Sequence, residues 1–291
     1  MVHKDASGVQ GSERFPRPGG VYGFRPVGVP SARSLLVDAP PDWPELDIAV
    51  SVTARTDPVP DYYDRDRAML KLRAGGTVTV ERSSARASFA LPERPKDGSV
   101  VHPHLASVAV VWAHWRGRES FHAGAFIAGG GAWGVLGDRE AGKSSLLAAL
   151  ALAGTPILAD DVLIVDGMTA LAGPRSIDLR GDAARALGAG EPLGVVGNRE
   201  RWRLTLEPAD AEQPLRGWVS LGWDSGSKCT VAPLTGSDRL RTLGAHRGIK
   251  LYPPDPAALI ELSALPFLVL RRPRRWERIG DAVDRLLDAT G

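Results

Sequence analysis

Short segments of the first third of the chain have the hydrophobic pattern of β-strands. Residues 77–82 alternate between apolar and polar side chains, as strands with one buried face do. Strands are predicted over residues 47–52, 77–82, 85–91 and 108–112, the last a continuous apolar run. The second and third would pair as a hairpin with its turn near Ser83 and Ser84. We therefore predict a β-rich module over residues 21–115.

From about residue 116 the pattern changes to strands alternating with helices. Residues 133–136 are apolar and predict a strand, and residues 144–153, rich in Ala and Leu, predict a helix that ends before Gly154. Further elements are predicted as strands over 218–223 and 267–272 and as helices over 238–243, 256–262 and 276–289. The last helix would bury Ile279, Val283, Leu286 and Leu287. We predict an α/β domain over residues 116–291.

Composition and charge narrow the class of protein. Of 291 residues, 43% are hydrophobic and 24% are charged, as in ordinary globular proteins. The net charge of +2 is too small to favour a nucleic acid or membrane partner. Cys229 is the only cysteine, which excludes a disulfide framework. No apolar run has the length of a membrane span, so a cytoplasmic protein is expected, and the polar residues 1–20 are predicted to be a disordered arm.

One segment carries a recognisable chemical motif. Residues 137–144 read Gly-Asp-Arg-Glu-Ala-Gly-Lys-Ser, the G-x-x-x-x-G-K-S pattern of a nucleotide phosphate-binding loop (P-loop). Its glycines would let backbone N–H groups point at phosphates, while Lys143 would reach the terminal phosphates and Ser144 would hold Mg²⁺. The predicted nucleotide-binding residues are Gly137, Asp138, Arg139, Glu140, Ala141, Gly142, Lys143, Ser144 and Ser145. The alternative is a structural glycine turn.

Two adjacent carboxylates follow the loop. Asp160 lies seventeen residues after Lys143 and is followed by Asp161 and an apolar run. Beside a phosphate loop, one carboxylate can align Mg²⁺ while the other takes the proton of an attacking hydroxyl. The alternative is an exposed turn at a strand end, where Asp is common.

These motifs together resemble the bacterial HPr kinase/phosphorylases and their HPr-kinase-like relatives. That family has a phosphate loop opening Gly-Asp, an aspartate pair at the same distance, and a histidine about fifteen residues before the loop, where this chain has His122. A Glu-Ile-Arg-Gly stretch follows in the family, and Ile-Asp-Leu-Arg-Gly occupies residues 177–181 here. The resemblance covers roughly residues 116–290 and implies an HPr-kinase-type P-loop domain.

The resemblance implies a role for each matching residue. Asp160 corresponds to the base toward the acceptor hydroxyl, His122 to its neighbouring histidine and Lys143 to the phosphate-binding lysine. Mg²⁺ would be held by Ser144, Asp161 and Asp178, the last in place of a family glutamate. Arg180 corresponds to the arginine of the same stretch. ATP and Mg²⁺ are the implied cofactors.

The implied activity is transfer of the ATP γ-phosphate to a Ser or Thr hydroxyl. The chain looks most like the small HPr-kinase-like proteins, some of which accompany ribosomally made, modified peptides (RiPPs) and phosphorylate a precursor. A small protein or peptide substrate is therefore expected, and the family's hexamers imply a homo-oligomer. Two alternatives stay open: a non-catalytic nucleotide-binding partner that recognises a peptide in RiPP biosynthesis, and a small-molecule kinase.

Two weaker patterns also have two interpretations each. Residues 199–203, Arg-Glu-Arg-Trp-Arg, could bring an arginine over a transferring phosphate, but such alternation is more often a strand with a charged solvent face. His102 and His104 could be a metal pair, but a loop is the favoured interpretation because no further ligands lie nearby.

Overall fold

The structure is a computed structural model that describes residues 17–53, 61–72, 75–196, 199–250 and 255–291. Within these residues the chain is a mixed α/β protein with four β-sheets and seven α-helices. None of the described helices is long and apolar enough to cross a membrane.

The first eight strands lie in the N-terminal half. They are β1 (Gly19–Gly20), β2 (Arg25–Val27), β3 (Val37–Asp38), β4 (Glu45–Val52), β5 (Tyr62–Tyr63), β6 (Arg67–Lys71), β7 (Thr77–Glu81) and β8 (Arg86–Leu91). Six of them form one sheet in the order β2-β4-β8-β7-β6-β5. Strands β4, β7 and β8 confirm three predicted strands, and β7 and β8 form the predicted antiparallel hairpin. In β7 alternate residues are buried, as its pattern predicted.

The fourth predicted strand is wrong, because residues 108–112 lie in a helix. A short helix, α1 (Asp97–Ser99), and a helical turn, Val100–His104, lead into α2 (Leu105–Trp115). Eight of the eleven α2 residues are buried, and the helix packs on both halves of the protein. A helix that is apolar on all faces has no 3.6-residue pattern to distinguish it from a buried strand. His102 and His104 are buried in the same segment, so the favoured loop interpretation is also wrong.

The prediction of a disordered arm over residues 1–20 is also wrong for its last residues, Gly19 and Gly20, which form a strand. Residues 1–16 lie outside the described residues, but Gly19 and Gly20 pair with Val37 and Asp38. A Cβ at Gly20 would come within 2.6 Å of the Ala39 Cβ, so glycine allows a close approach of two chain segments here. The glycine-rich composition predicted disorder, but in the structure Gly19 and Gly20 allow close packing against neighbouring side chains.

The C-terminal half is mixed α/β, as predicted, but most of its strands come in runs of three or four between the helices. Its elements are β9 (Glu119–Phe121), β10 (Ala123–Ala128), β11 (Gly131–Leu136), α3 (Lys143–Leu152), β12 (Ile157–Ala159), β13 (Leu163–Asp166), β14 (Thr169–Leu171), β15 (Ser176–Leu179), α4 (Gly181–Leu187), β16 (Glu191–Val196), β17 (Arg199–Thr205), β18 (Glu212–Asp224), β19 (Thr230–Pro233), α5 (Ser237–Ala245), α6 (Pro256–Ala264), β20 (Phe267–Pro273) and α7 (Ile279–Thr290). Elements β11, α3, β18, α5, α6, β20 and α7 confirm the predicted strands and helices.

Two sheets of this half position the predicted site. The larger runs β12-β10-β11-β18-β14-β13-β9, and β18 also pairs with β20. Strands β11, β18 and β20 are parallel neighbours, so their carboxyl ends meet at one edge. A small sheet of β15, β17 and β16 brings the segment around Asp178 together with the arginines of β17.

The hydrophobic core does not divide at the predicted boundary. One cluster of buried side chains includes Val21 and Phe89 from the N-terminal half and Leu163, Trp218 and Phe267 from the C-terminal half. A second cluster of buried side chains lies wholly in the C-terminal half. The ranges 21–115 and 116–291 stay predictions as domain limits, and the first cluster crosses the boundary between them.

Candidate functional site

The predicted phosphate loop joins a buried strand to a helix. It leaves β11 at Leu136 and ends where α3 begins at Lys143, and the residues between β11 and Glu140 change from buried to exposed. Glu140 and Gly142 have left-handed φ values of 71° and 78°, which let the backbone curl. No described side chain caps α3, so its first N–H groups stay available for an anion.

Lys143 folds back over this loop. Its Nζ donates a hydrogen bond of 2.6 Å to the Gly137 carbonyl oxygen, and the residue is buried. Burial lowers the pKa of Lys143, while the carboxylates of Asp160, Asp161 and Asp138 act in the opposite direction. The cation therefore lies over the concave face of the loop, where a phosphate would be bound.

The aspartate pair follows β12 and faces the start of α3. The Ser144 hydroxyl donates a 3.1 Å hydrogen bond to Asp160 Oδ1, so the two predicted motifs are in direct contact. Asp160 is buried, whereas the Asp161 side chain is half-exposed. Burial, reinforced by the charge of Asp161, raises the pKa of Asp160 from 3.8 to about 7.

His122 lies beside the second aspartate. Its Nδ1 is 3.1 Å from the Asp161 carbonyl oxygen and 3.4 Å from Oδ1. A carbonyl oxygen only accepts, so Nδ1 carries the proton. Burial lowers the pKa of His122, with a further contribution from Lys143. The histidine thus contacts Asp161 directly, whereas the family resemblance implied Asp160 as its neighbour.

Asp178 has a protein cation as its main partner. Arg203 Nε and Nη2 donate to its two carboxylate oxygens at 2.7 and 2.8 Å, and both side chains are buried. His102 Nε2 lies 3.7 Å from Asp178 Oδ2. Any metal bound by Asp178 would compete with Arg203, so its role as a metal ligand stays a prediction. Among the described residues no group of three or more His, Cys, Asp or Glu side chains could hold a metal.

Arginines surround the exposed side of the loop. Arg180 Nη2 lies 2.9 Å and Arg199 Nη1 3.8 Å from Glu140 Oε1. Between Arg199 and Arg203 on β17, Arg201 has its pKa lowered by burial while Asp178 and Asp161 act to raise it. The strand predicted over 199–203 is confirmed, but its arginines face the site and not only solvent.

Sequence reasoning missed two residues that touch the loop. Arg272, at the end of β20, donates from Nη2 to the Ala141 and Gly142 carbonyl oxygens at 3.3 and 3.1 Å, and its guanidinium stacks 4.5 Å from the Trp223 ring centroid. His246 Nε2 is 3.7 Å from Asp138 Oδ1. The sequence predicted the strand that carries Arg272, but no local pattern indicates which strand end meets the loop.

Comparisons with known proteins give distant structural likeness only. No protein family model matches the sequence, and no curated protein matches it. Among solved structures, the chain is similar to the HPr(Ser) kinase/phosphatase from Coxiella burnetii, with 12% identity and a TM-score of 0.30 over 58% of this chain and 88% of that one. A likeness with this TM-score carries no argument about activity.

Proposed function

We propose that this protein is an ATP- and Mg²⁺-dependent kinase that transfers the γ-phosphate to a Ser or Thr hydroxyl of a small protein or peptide. Residues 116–291 would form an HPr-kinase-type P-loop domain. The observation that carries the proposal is the hydrogen bond between Ser144, in the phosphate loop, and the buried Asp160, which joins a phosphate-binding element to a carboxylate base.

The loop has what a triphosphate requires. The uncapped start of α3 offers N–H groups and the positive end of a helix dipole. Lys143 adds a full charge on the same side, and it can exchange its Gly137 carbonyl for a phosphate oxygen. Residues 137–145 would thus bind the nucleotide, as the motif predicts.

The oxygens of Ser144 and Asp161 suit a magnesium ion. Mg²⁺ prefers hard oxygen ligands and is usually held by one or two protein groups together with phosphates and water. When bound, Mg²⁺ would neutralise phosphate charge and orient the γ-phosphate. The half-exposed Asp161 carboxylate, held beside His122, is available for this role, and Asp178 is the further predicted ligand.

Asp160 has the properties of a general base. A catalytic base works best when its pKa lies near the operating pH, and burial raises the pKa of Asp160 to about 7. Asp160 would take the proton of the acceptor hydroxyl. The hydroxyl oxygen would bond to the γ-phosphorus as the bond from this phosphorus to ADP breaks and ADP leaves. Arg180, Arg199 and Arg201 supply positive charge near the loop while charge develops on the transferred phosphate.

One observation favours a second candidate function. Because Arg203 occupies both Asp178 oxygens, the site has one fewer free carboxylate for metal. A protein that binds nucleotide without turnover, as a peptide-recognition partner, would tolerate this arrangement.

The test is to incubate the full chain with Mg-ATP and peptides encoded beside its gene, and to detect an added phosphate by mass spectrometry. Slow formation of ADP without a peptide, with water as acceptor, is the second readout. Lys143→Ala and Asp160→Asn should each abolish transfer, whereas the exposed controls Lys228→Ala and Asp42→Asn should not.

Three outcomes would contradict the proposed function or its site. Nucleotide binding without transfer to any peptide or to water would favour the non-catalytic partner. Phosphorylation of a sugar or alcohol with no peptide present would favour a small-molecule kinase. Transfer that survives both Lys143→Ala and Asp160→Asn would refute the proposed site.

A further inference from the structure

A tyrosine from the N-terminal half is buried next to the aspartate pair. Tyr22 is 1% exposed and lies in the turn Val21–Phe24, between β1 and β2. Its backbone N–H donates to the Ala172 carbonyl oxygen at 2.7 Å, which fixes the turn on the C-terminal half. Arg118 bonds the Gly23 carbonyl oxygen of the same turn.

The Tyr22 ring packs beside the segment that ends in Asp160. Gly173 donates its N–H to the Leu158 carbonyl oxygen at 2.9 Å. A Cβ at Gly173 would lie 3.3 Å from Tyr22 Cε1 and 3.1 Å from the Ala159 Cβ. The Tyr22 ring and Ala159 therefore lie on either side of Gly173. Ala159 is the last residue of β12 and directly precedes Asp160.

Two features of Tyr22 are unfavourable for stability. Its φ of 56° is a left-handed conformation that residues with a Cβ rarely adopt. Its hydroxyl is buried and has no hydrogen-bond partner among the described residues. A phenylalanine would fill the same space without burying an unpaired hydroxyl. Unfavourable groups of this kind concentrate at functional sites.

The charges of the aspartate pair, Asp160 and Asp161, act on the Tyr22 hydroxyl. Burial raises the pKa of Tyr22 well above its usual range, and the charges of Asp161 and Asp160 raise it further. The phenol therefore stays protonated and can only act as a donor or acceptor of a hydrogen bond. The two carboxylates whose charges act on this hydroxyl are therefore the candidates to accept its hydrogen bond.

We propose that Tyr22 is a positioning residue of the phosphate-transfer site, contributed by the N-terminal half. Its hydroxyl donates a hydrogen bond to the Asp160 carboxylate when nucleotide and acceptor are bound, and so orients this base toward the acceptor. The inference rests on the proposed function. It gives the N-terminal half a direct part in catalysis in addition to any recognition of a partner.

The test compares Tyr22→Phe with wild type in the full chain. Because the hydroxyl has no partner among the described residues, the melting temperature of the variant should be equal to or higher than that of wild type. The Kd for Mg-ATP should be unchanged, and kcat for ADP formation from Mg-ATP should fall about tenfold, the effect of one hydrogen bond to a charged group. Tyr63→Phe, whose ring stacks on Trp115, is the matched control and should leave kcat unchanged.

The outcomes separate this inference from the proposed function. An unchanged kcat in Tyr22→Phe, with active wild type, would overturn the inference alone. A parallel fall of melting temperature and kcat would also overturn it, because a purely structural tyrosine behaves in that way. If wild type neither binds Mg-ATP nor forms ADP, the proposed function fails and the inference fails with it.

Discussion

Arg203 holds the Asp178 carboxylate with two hydrogen bonds, of 2.7 and 2.8 Å, in a buried pair. The same guanidinium donates to the carbonyl oxygens of Gly98 and His102, at 3.1 and 2.9 Å. One side chain thus links β15, β17 and the segment before α2. The pair has a structural role in addition to its position beside the predicted site.

Removal of this guanidinium should destabilise the protein strongly. Arg203→Met leaves a buried carboxylate without its cation, and breaking a buried ion pair in this way costs about 3–5 kcal/mol. Urea unfolding measures the change in the free energy of unfolding. Arg67→Met is the control, because Arg67 and Glu81 form an exposed pair at 4.0 Å, and it should cost less than about 1 kcal/mol. Equal effects of the two substitutions would contradict the role assigned to Arg203.

Arg272 should support nucleotide binding through the loop backbone. Arg272→Met removes the donor to the Ala141 and Gly142 carbonyl oxygens, and loss of such hydrogen bonds should weaken ATP binding about tenfold. Titration calorimetry measures the Kd. Arg274→Met is the matched control, since Arg274 lies 5.7 Å from the same Trp223 ring centroid. If both variants lose affinity equally, stacking on Trp223 and not the loop contact is responsible.

Gly142 should not tolerate a side chain. In Gly142→Ala the new Cβ would clash with Arg272 Nη2, in a backbone with a φ of 78°. We expect ATP binding to be lost and the free energy of unfolding to fall by more than the 1–2 kcal/mol typical of left-handed strain. Gly154→Ala has a similar φ of 87°, but beyond its immediate chain neighbours the new Cβ would contact nothing within 4 Å, so this variant isolates the strain. Similar losses in both variants would show that the Arg272 contact adds nothing.

Stability should depend on pH through Asp160. Burial raises its pKa in the folded protein to about 7 from 3.8, so the folded state binds this proton more tightly than the unfolded state does. The resulting stabilisation is complete below about pH 4 and is lost as pH rises through 7. At about 1.4 kcal/mol per pKa unit, the loss approaches about 4 kcal/mol.

Urea unfolding of metal-free protein between pH 4 and 8 tests this. Asp160→Asn cannot titrate at this position, so the stability difference between wild type and variant should change with pH in favour of the variant. Asp42→Asn, at an exposed position, should show no such trend. A difference that stays constant over this range would exclude a raised pKa at Asp160.

The sequence predicted the local parts of the site but not the contacts between distant segments. The strand, loop and helix around Lys143 form a local motif, and Asp160 follows at a spacing that can be read along the chain. Tyr22 and Arg272 meet the site only through tertiary packing, for which a single sequence contains no local signal. The alternation over residues 199–203 indicated a strand, but not that Arg203 would pair with Asp178. Residues 108–112 form a helix and not the predicted strand, because an almost wholly apolar run carries no polar pattern that distinguishes the two.

The core that crosses residue 115 has a consequence for synthesis of the protein. Val21 and Phe89 share a buried cluster with Trp218 and Phe267, which leave the ribosome much later. At about 5–20 residues per second, the first half therefore waits for seconds with apolar surface uncovered. Its folding is completed only after β18 and β20 emerge, so this chain should depend on chaperones during translation more than one whose halves fold independently.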